Sequence, residues 1–248
     1  MADLMITSVV KAQERIRLKR LKKNVKERAT ILADGRVLLE RLETSVKLND
    51  EMLTAASTGD TDSVKTLLDV GASVNTPDKL GFSAFMYACG NGHIKVTNLI
   101  IDDTDVNYGH GTTLSPLLLA TKNRHLDIIK VLLAHGADVE GTNEIGRTPL
   151  LLACENGSYE IAVALIENGA NVNASDNRGN IGLHICASGN FHEIARLLLE
   201  HGSHLTVSNH NSLMPFAIAS AKRHEQTLNV FHEHRKMSVS RGSVNILV

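Results

Sequence analysis

The chain has 248 residues, 43% hydrophobic and 21% charged, too apolar for general disorder and too mixed for a membrane protein. Lys+Arg 26 against Asp+Glu 27 leaves a net charge of -1, and aromatics are 3% with no Trp, so neither a global field nor stacking platforms point to nucleic acid. Three cysteines cannot build a disulfide framework and fit a reducing compartment, and no apolar run approaches the ~18 residues of a spanning helix. A cytoplasmic setting is expected, with the nucleus as the alternative and no integral membrane association.

Residues 1–47 carry 12 basic and six acidic side chains. Lys11 to Arg28 reads as a charged helix, with Leu18, Val25, Leu32, Leu39 and Val46 recurring every seven residues and Arg28 and Gly35 breaking the companion seam. The plainest expectation for this basic helical N-terminal segment is that its apolar stripe packs on the residues that follow. The run Arg17, Lys19, Arg20, Lys22 and Lys23 also has the composition of a nuclear import signal or an anionic-surface patch. Residues 48–234 reverse the sign, with 11 basic and 21 acidic side chains, an asymmetry expected of separate roles or of mutual contact.

That acidic region is periodic. Pro116 and Pro149 are 33 residues apart, Pro149 and Pro215 twice that, and Gly136, Gly169 and Gly202 repeat the 33-residue spacing. A fixed period of this length indicates stacked repeats rather than one globular core. In this register six units cover 48–80, 81–112, 113–145, 146–178, 179–211 and 212–236, the second one residue short. In the fourth, Thr148 is placed to cap free backbone N–H groups and Pro149 to occupy the first helical turn, where its missing N–H costs nothing. Leu150 to Cys154 predicts a short buried helix ended by Gly157. Ile161, Ala162, Leu165 and Ile166 predict a second helix with one apolar face, ended by Gly169. The polar stretch Asn171 to Arg178 predicts a turn-rich finger.

Thr148-Pro149-Leu150, Ala153, Gly157 and Asn168-Gly169-Ala170-Asn171-Val172-Asn173 resemble the ankyrin repeat, and Gly71-Ala72-Ser73-Val74-Asn75 and Gly136-Ala137-Asp138-Val139 repeat that ending. The resemblance spans residues 48–236 and implies an all-α solenoid of helix-turn-helix units with finger loops, preceded by the basic segment. The family histidine survives only as His184. Arg124, Asn190 and Arg223 replace the first-helix glycine, and Ile181-Gly182 replaces Thr-Pro, so a looser turn is expected there. Arg235 replaces the last closing glycine, as suits a terminal cap.

The resemblance also implies a non-catalytic scaffold or adaptor that binds another protein along finger tips and inner helices on the concave face. The positions are Asp78, Lys79, Phe82, Tyr87, Asn91 and His93, then Tyr108 and His110, then Asn143, Glu144, Arg147, Glu155 and Asn156. Asp176, Asn177, Arg178 and Asn180 complete the strip. Phe82, Tyr87, Tyr108 and Arg147 are of the types that anchor interfaces, although Phe82 and Tyr87 would equally serve packing between units. Family members are also substrates of an asparaginyl hydroxylase, and Asn75, Asn107 and Asn173 match the modified position.

Nothing in the sequence supplies chemistry. Of 12 histidines, His135, His201 and His234 share one repeat position and His93, His125 and His224 another, a phase that fits helix ends rather than a metal. Cys89, Cys154 and Cys186 fall on inner helices and read as buried packing. Phosphate-binding loops and nucleophile elbows are not found, so no enzyme, cofactor or metal is expected. A flexible tail over 237–248 ends in Ile246, Leu247 and Val248, the pattern of a PDZ-domain ligand taking Ile246 and Val248.

Overall fold

The computed structural model describes residues 35–109 and 115–240. The chain divides into two compact units after Leu48. Helix α1, Gly35–Thr58, runs across that division, and the reason is local: no glycine or proline stands between Arg36 and Thr58 to end it. The helix therefore crosses the expected boundary at residue 48 without a break.

Beyond it the helices alternate in pairs: α2 (Thr61–Asp69), α3 (Ala84–Gly90), α4 (Ile94–Ile100), α5 (Pro116–Lys122), α6 (Leu126–Ala134), α7 (Pro149–Asn156), α8 (Tyr159–Glu167), α9 (Gly182–Gly189), α10 (His192–Glu200), α11 (Pro215–Lys222) and α12 (Glu225–Ser240). The inner helices α3, α5, α7, α9 and α11 pack each on the next, and the outer helices α2, α4, α6, α8, α10 and α12 form a parallel second layer. The fold is an all-α solenoid, with no strand among the described residues.

The starts of the inner helices follow the expected chemistry. Ser83, Ser115 and Thr148 each accept a hydrogen bond from the backbone N–H three residues on, at 3.2–3.3 Å, and Pro116 and Pro149 fill the first turn. The expected looser turn at Ile181 is corrected by His184. Its Nδ1 accepts the Ile181 N–H at 3.3 Å while its Nε2 donates to the Leu213 carbonyl at 2.9 Å. A buried imidazole thus ties one start to the next unit. Glycine at 182 also suits the close packing there. A Cβ there would stand 2.8 Å from Leu198 Cδ1 and 3.2 Å from Cys154 Sγ.

After the inner helix the chain turns through the left-handed region. Gly157 does so at φ 66°, and Phe191 lies so close that a Cβ would meet its ring at 2.5 Å, so this glycine answers both conformation and space. Arg124 (φ 64°), Asn190 (φ 60°) and Arg223 (φ 59°) adopt the same conformation with the Cβ strain glycine avoids.

Two sets of side chains stitch unit to unit. His93 Nε2, His125 Nε2 and His224 Nδ1 donate to the Ser57, Gly90 and Ala187 carbonyls of the preceding inner helix at 2.8–3.0 Å. In the fingers, Asn75, Asn107 and Asn173 donate to the carbonyls of Asp103, Gly136 and Gly202 of the following unit at 2.8–3.2 Å. The missing residue of the second unit is absorbed where a single 3-10 turn, Ile101–Asp103, follows α4, and Asn107 still reaches its partner. His135 and His201 bond the carbonyls of Val131 and Leu197 at 2.8–2.9 Å, the helix-end role expected of that position. With no glycine at 235, α12 continues to Ser240, four residues past the expected end of the repeats and into the stretch expected to be a tail.

Candidate functional site

Four fingers among the described residues are each built by one side chain. Asp78, Asn143, Asp176 and Asn209 stand at one repeat position, and the Oδ1 of each accepts the backbone N–H groups two and four residues on, at 2.8–3.1 Å. The backbone closes the same loop, as in the Asp176 N–H to Asn180 carbonyl bond at 3.0 Å. Burial raises the Asp176 carboxyl, but N–H donation from Asn180 and Arg178 and the Arg147 charge outweigh it and hold it below 3.8. Asp78 is likewise held low against its burial by the Phe82 and Leu80 N–H groups and the Tyr87 hydroxyl. These acids shape loops, and their oxygens are occupied.

The expected site residues fall into two groups. In the first, Tyr87 Oη donates to Asp78 Oδ2 at 2.8 Å, and Phe82 lies against Tyr87 with ring centroids 5.3 Å apart. Both rings are half-buried, while Lys79 beside them is exposed. In the second, Arg147 pairs through Nη1 with Glu155. Its Nε lies 3.8 Å from Asp176 Oδ2 and is buried without an acceptor. Asn180 Nδ2 closes on Asp176 at 3.1–3.2 Å, and Asp176 acts electrostatically on His184.

Other members spend their polar atoms on the stack. Asn91 donates to the Ser57 carbonyl at 2.9 Å, as His93 does, and Asn156 donates to the carbonyls of Thr121 and Lys122 at 3.1–3.2 Å. Asn177 donates to the Glu144 carbonyl at 3.1 Å, and the Arg178 carbonyl accepts the His210 N–H at 3.0 Å. Glu144 and Arg178 extend into solvent, and Tyr108 is 39% exposed. His110, the basic run Arg17 to Lys23 and the residues Ile246 and Val248 lie outside the described residues.

One row escaped the reading of motifs. Tyr87, Leu119, Leu152, Ile185 and Ile218 occupy one position in five successive inner helices, and all but Leu152 are half open to solvent. The 33-residue period held the signal, since this position stays apolar from the second unit to the sixth. At its far end lies a recess of about 280 Å³, lined by Arg147, Glu155, His184, Ile185, Phe191 and Ile218 among others. Burial pushes the His184 imidazole below its usual value, against the Leu213 carbonyl and Asp176, which favour the charged form.

The thiols are free and buried. Burial pushes Cys89 up to about 12 and raises Cys186, whose neighbour is Cys154, leaving little thiolate for chemistry. Among the described residues no group of three or more histidine, cysteine or carboxylate side chains is placed to hold a metal. No described helix is long and apolar enough to cross a membrane.

A family model for ankyrin repeats (three copies) matches residues 37–110, 52–143 and 105–176, and one for a single ankyrin repeat matches 178–210. The chain belongs to the ankyrin repeat family. It is 31% identical over 97 residues to YahD of Escherichia coli (strain K12), named as an ankyrin repeat protein. That alignment covers 39% of this chain and spans about half, 48%, of the relative's length. Ankyrin repeats generally mediate protein–protein interaction and are typically non-catalytic.

Proposed function

We propose that this ankyrin repeat protein is a non-catalytic scaffold or adaptor that holds a partner protein along its inner helices and finger tips, the face the family uses as its concave binding surface. The observation that carries the reading is the row Tyr87, Leu119, Leu152, Ile185 and Ile218. It is apolar from the second unit to the sixth yet left largely half open, where the equivalent faces of a packed core would be closed. Exposed Lys79, Glu144 and Arg178 border it, giving the polar rim of an interface. Cross-linking through lysines tests the assignment, because they stand on both sides of the solenoid. Lys79, Lys122 and Lys222 belong to fingers and inner helices, and Lys65, Lys95 and Lys130 to outer ones. A partner retained by the full chain should cross-link to the first three. Cross-links confined to the outer set would reject the reading.

A further inference from the structure

We infer that the partner segment bound by this face is acidic and carries one large apolar side chain, the apolar group entering the recess over Ile185, Phe191 and Ile218 and a carboxylate taking Arg147. The inference rests on the inner-face reading and adds the chemistry of the ligand. The acidic character of the repeats is not shared by both layers. Between residues 115 and 234 the inner helices, the turns after them and the finger tips carry six basic side chains, Lys122, Arg124, Arg147, Arg178, Lys222 and Arg223, against three acidic ones, Glu144, Glu155 and Asp176. The outer helices and the loops that close them carry two basic and nine acidic. Over these residues the inner side is therefore positive and the outer strongly negative, and a docking segment is steered by the side it approaches there.

Of the three inner acids, Asp176 is committed to its finger and is 3% exposed at the side chain. Glu155 is the exchangeable one. Its side chain is 47% exposed, so its pair with Arg147 is screened by water and worth little. Arg147 sits on the wall of the recess with its side chain 19% exposed and its Nη1 on Glu155, and a guanidinium nitrogen makes a charge-assisted bond to any carboxylate that reaches it. A partner carboxylate can thus replace Glu155 at no net loss of ion pairs. The floor offers two aliphatic side chains and one ring, the surroundings that make a single buried anchor count. The sparse aromatics of this face give no stacking row for bases, which argues for a peptide over a nucleic acid.

Panning a random-peptide display library on the full chain provides the test, followed by affinity measurement on synthetic copies of the selected peptides. Selected sequences should be rich in Asp and Glu beside one Leu, Ile, Met, Phe or Trp. Binding should weaken about tenfold with Arg147→Gln, and similarly when glycine replaces the apolar residue of the peptide. It should fall as salt rises from about 0.05 to about 0.3 M. Lys122→Glu changes an exposed side chain outside the core and should weaken binding without affecting the circular dichroism, which guards against misfolding of the Arg147 variant. Enrichment of Lys and Arg, absence of enrichment, or tighter binding of a short oligothymidylate overturns the inference. If basic peptides are selected but still depend on Ile218, the ligand chemistry fails while the inner-face reading survives. If nuclear magnetic resonance shifts map the selected peptides to the acidic outer layer, both fail.

Discussion

His184 shows how much a single side chain carries when its surroundings are fixed. Neutral, with Nδ1 accepting and Nε2 donating, it joins the start of α9 to the next unit. Protonation would turn the accepting nitrogen into a second donor facing the Ile181 N–H. Burial lowers the imidazole's affinity for the proton below that of a free histidine, 6.5. The folded state therefore binds fewer protons than the unfolded one, and this group's contribution is present above 6.5 and lost as pH falls. Urea unfolding of the wild type should show stability declining between about pH 7 and pH 5. His184→Gln, less stable at neutral pH, should show a shallower decline. An equal pH slope in both proteins would assign the effect elsewhere. The residues bearing the family pattern were legible here, and the hydrogen bonds were not, because the bond to Leu213 joins positions 29 apart that only stacking brings together.

For a helix and its two ends, the sequence was most informative where a residue does one local job. Thr148-Pro149 and Gly157 mark a start and a stop that depend on nothing outside their own unit. Reading failed where the neighbour decides. The dipeptide Ile181-Gly182 suggests a weak turn, yet a Cβ at this glycine would press on Leu198 and Cys154, whose side chains would have to shift. Restoring the commoner residue by Gly182→Pro should therefore destabilise by about 1–3 kcal/mol through overpacking. Arg223→Gly, at an exposed turn with positive φ, should stabilise by about 1 kcal/mol by removing the left-handed strain. Chemical denaturation measures both, and a stabilising proline at 182 would contradict the packing account. The lengths of α1 and α12 are set in another way. The repeat register sets unit boundaries, whereas a helix continues until a breaker stops it.

Across the molecule, stability is a chain of neighbour contacts. The inner and outer layers pack each helix on the next, and the unit is held at its interfaces rather than within itself. Leu165 of α8, fully buried in the fourth unit, should cost about 2–5 kcal/mol when replaced by alanine. Because it lies mid-stack, the loss should also split or broaden the unfolding transition. A single sharp transition of unchanged width, read by calorimetry, would mean the stack unfolds as one body despite the cut. The partition of charge between the layers was invisible to a count over residues 48–234, which reports only an acidic total. It emerges between residues 115 and 234 once each residue is assigned to the inner or the outer side.

Three finger asparagines reach a carbonyl of the next unit, and three histidines after the first helix of a pair reach back to the unit before. A segment copied in phase would bring its own fastenings at both edges and find matching sockets waiting. A copy made out of phase would leave donors and acceptors facing the wrong way along two seams. The length of such a protein can accordingly grow or shrink in whole steps during evolution, while the spacing itself is held by geometry.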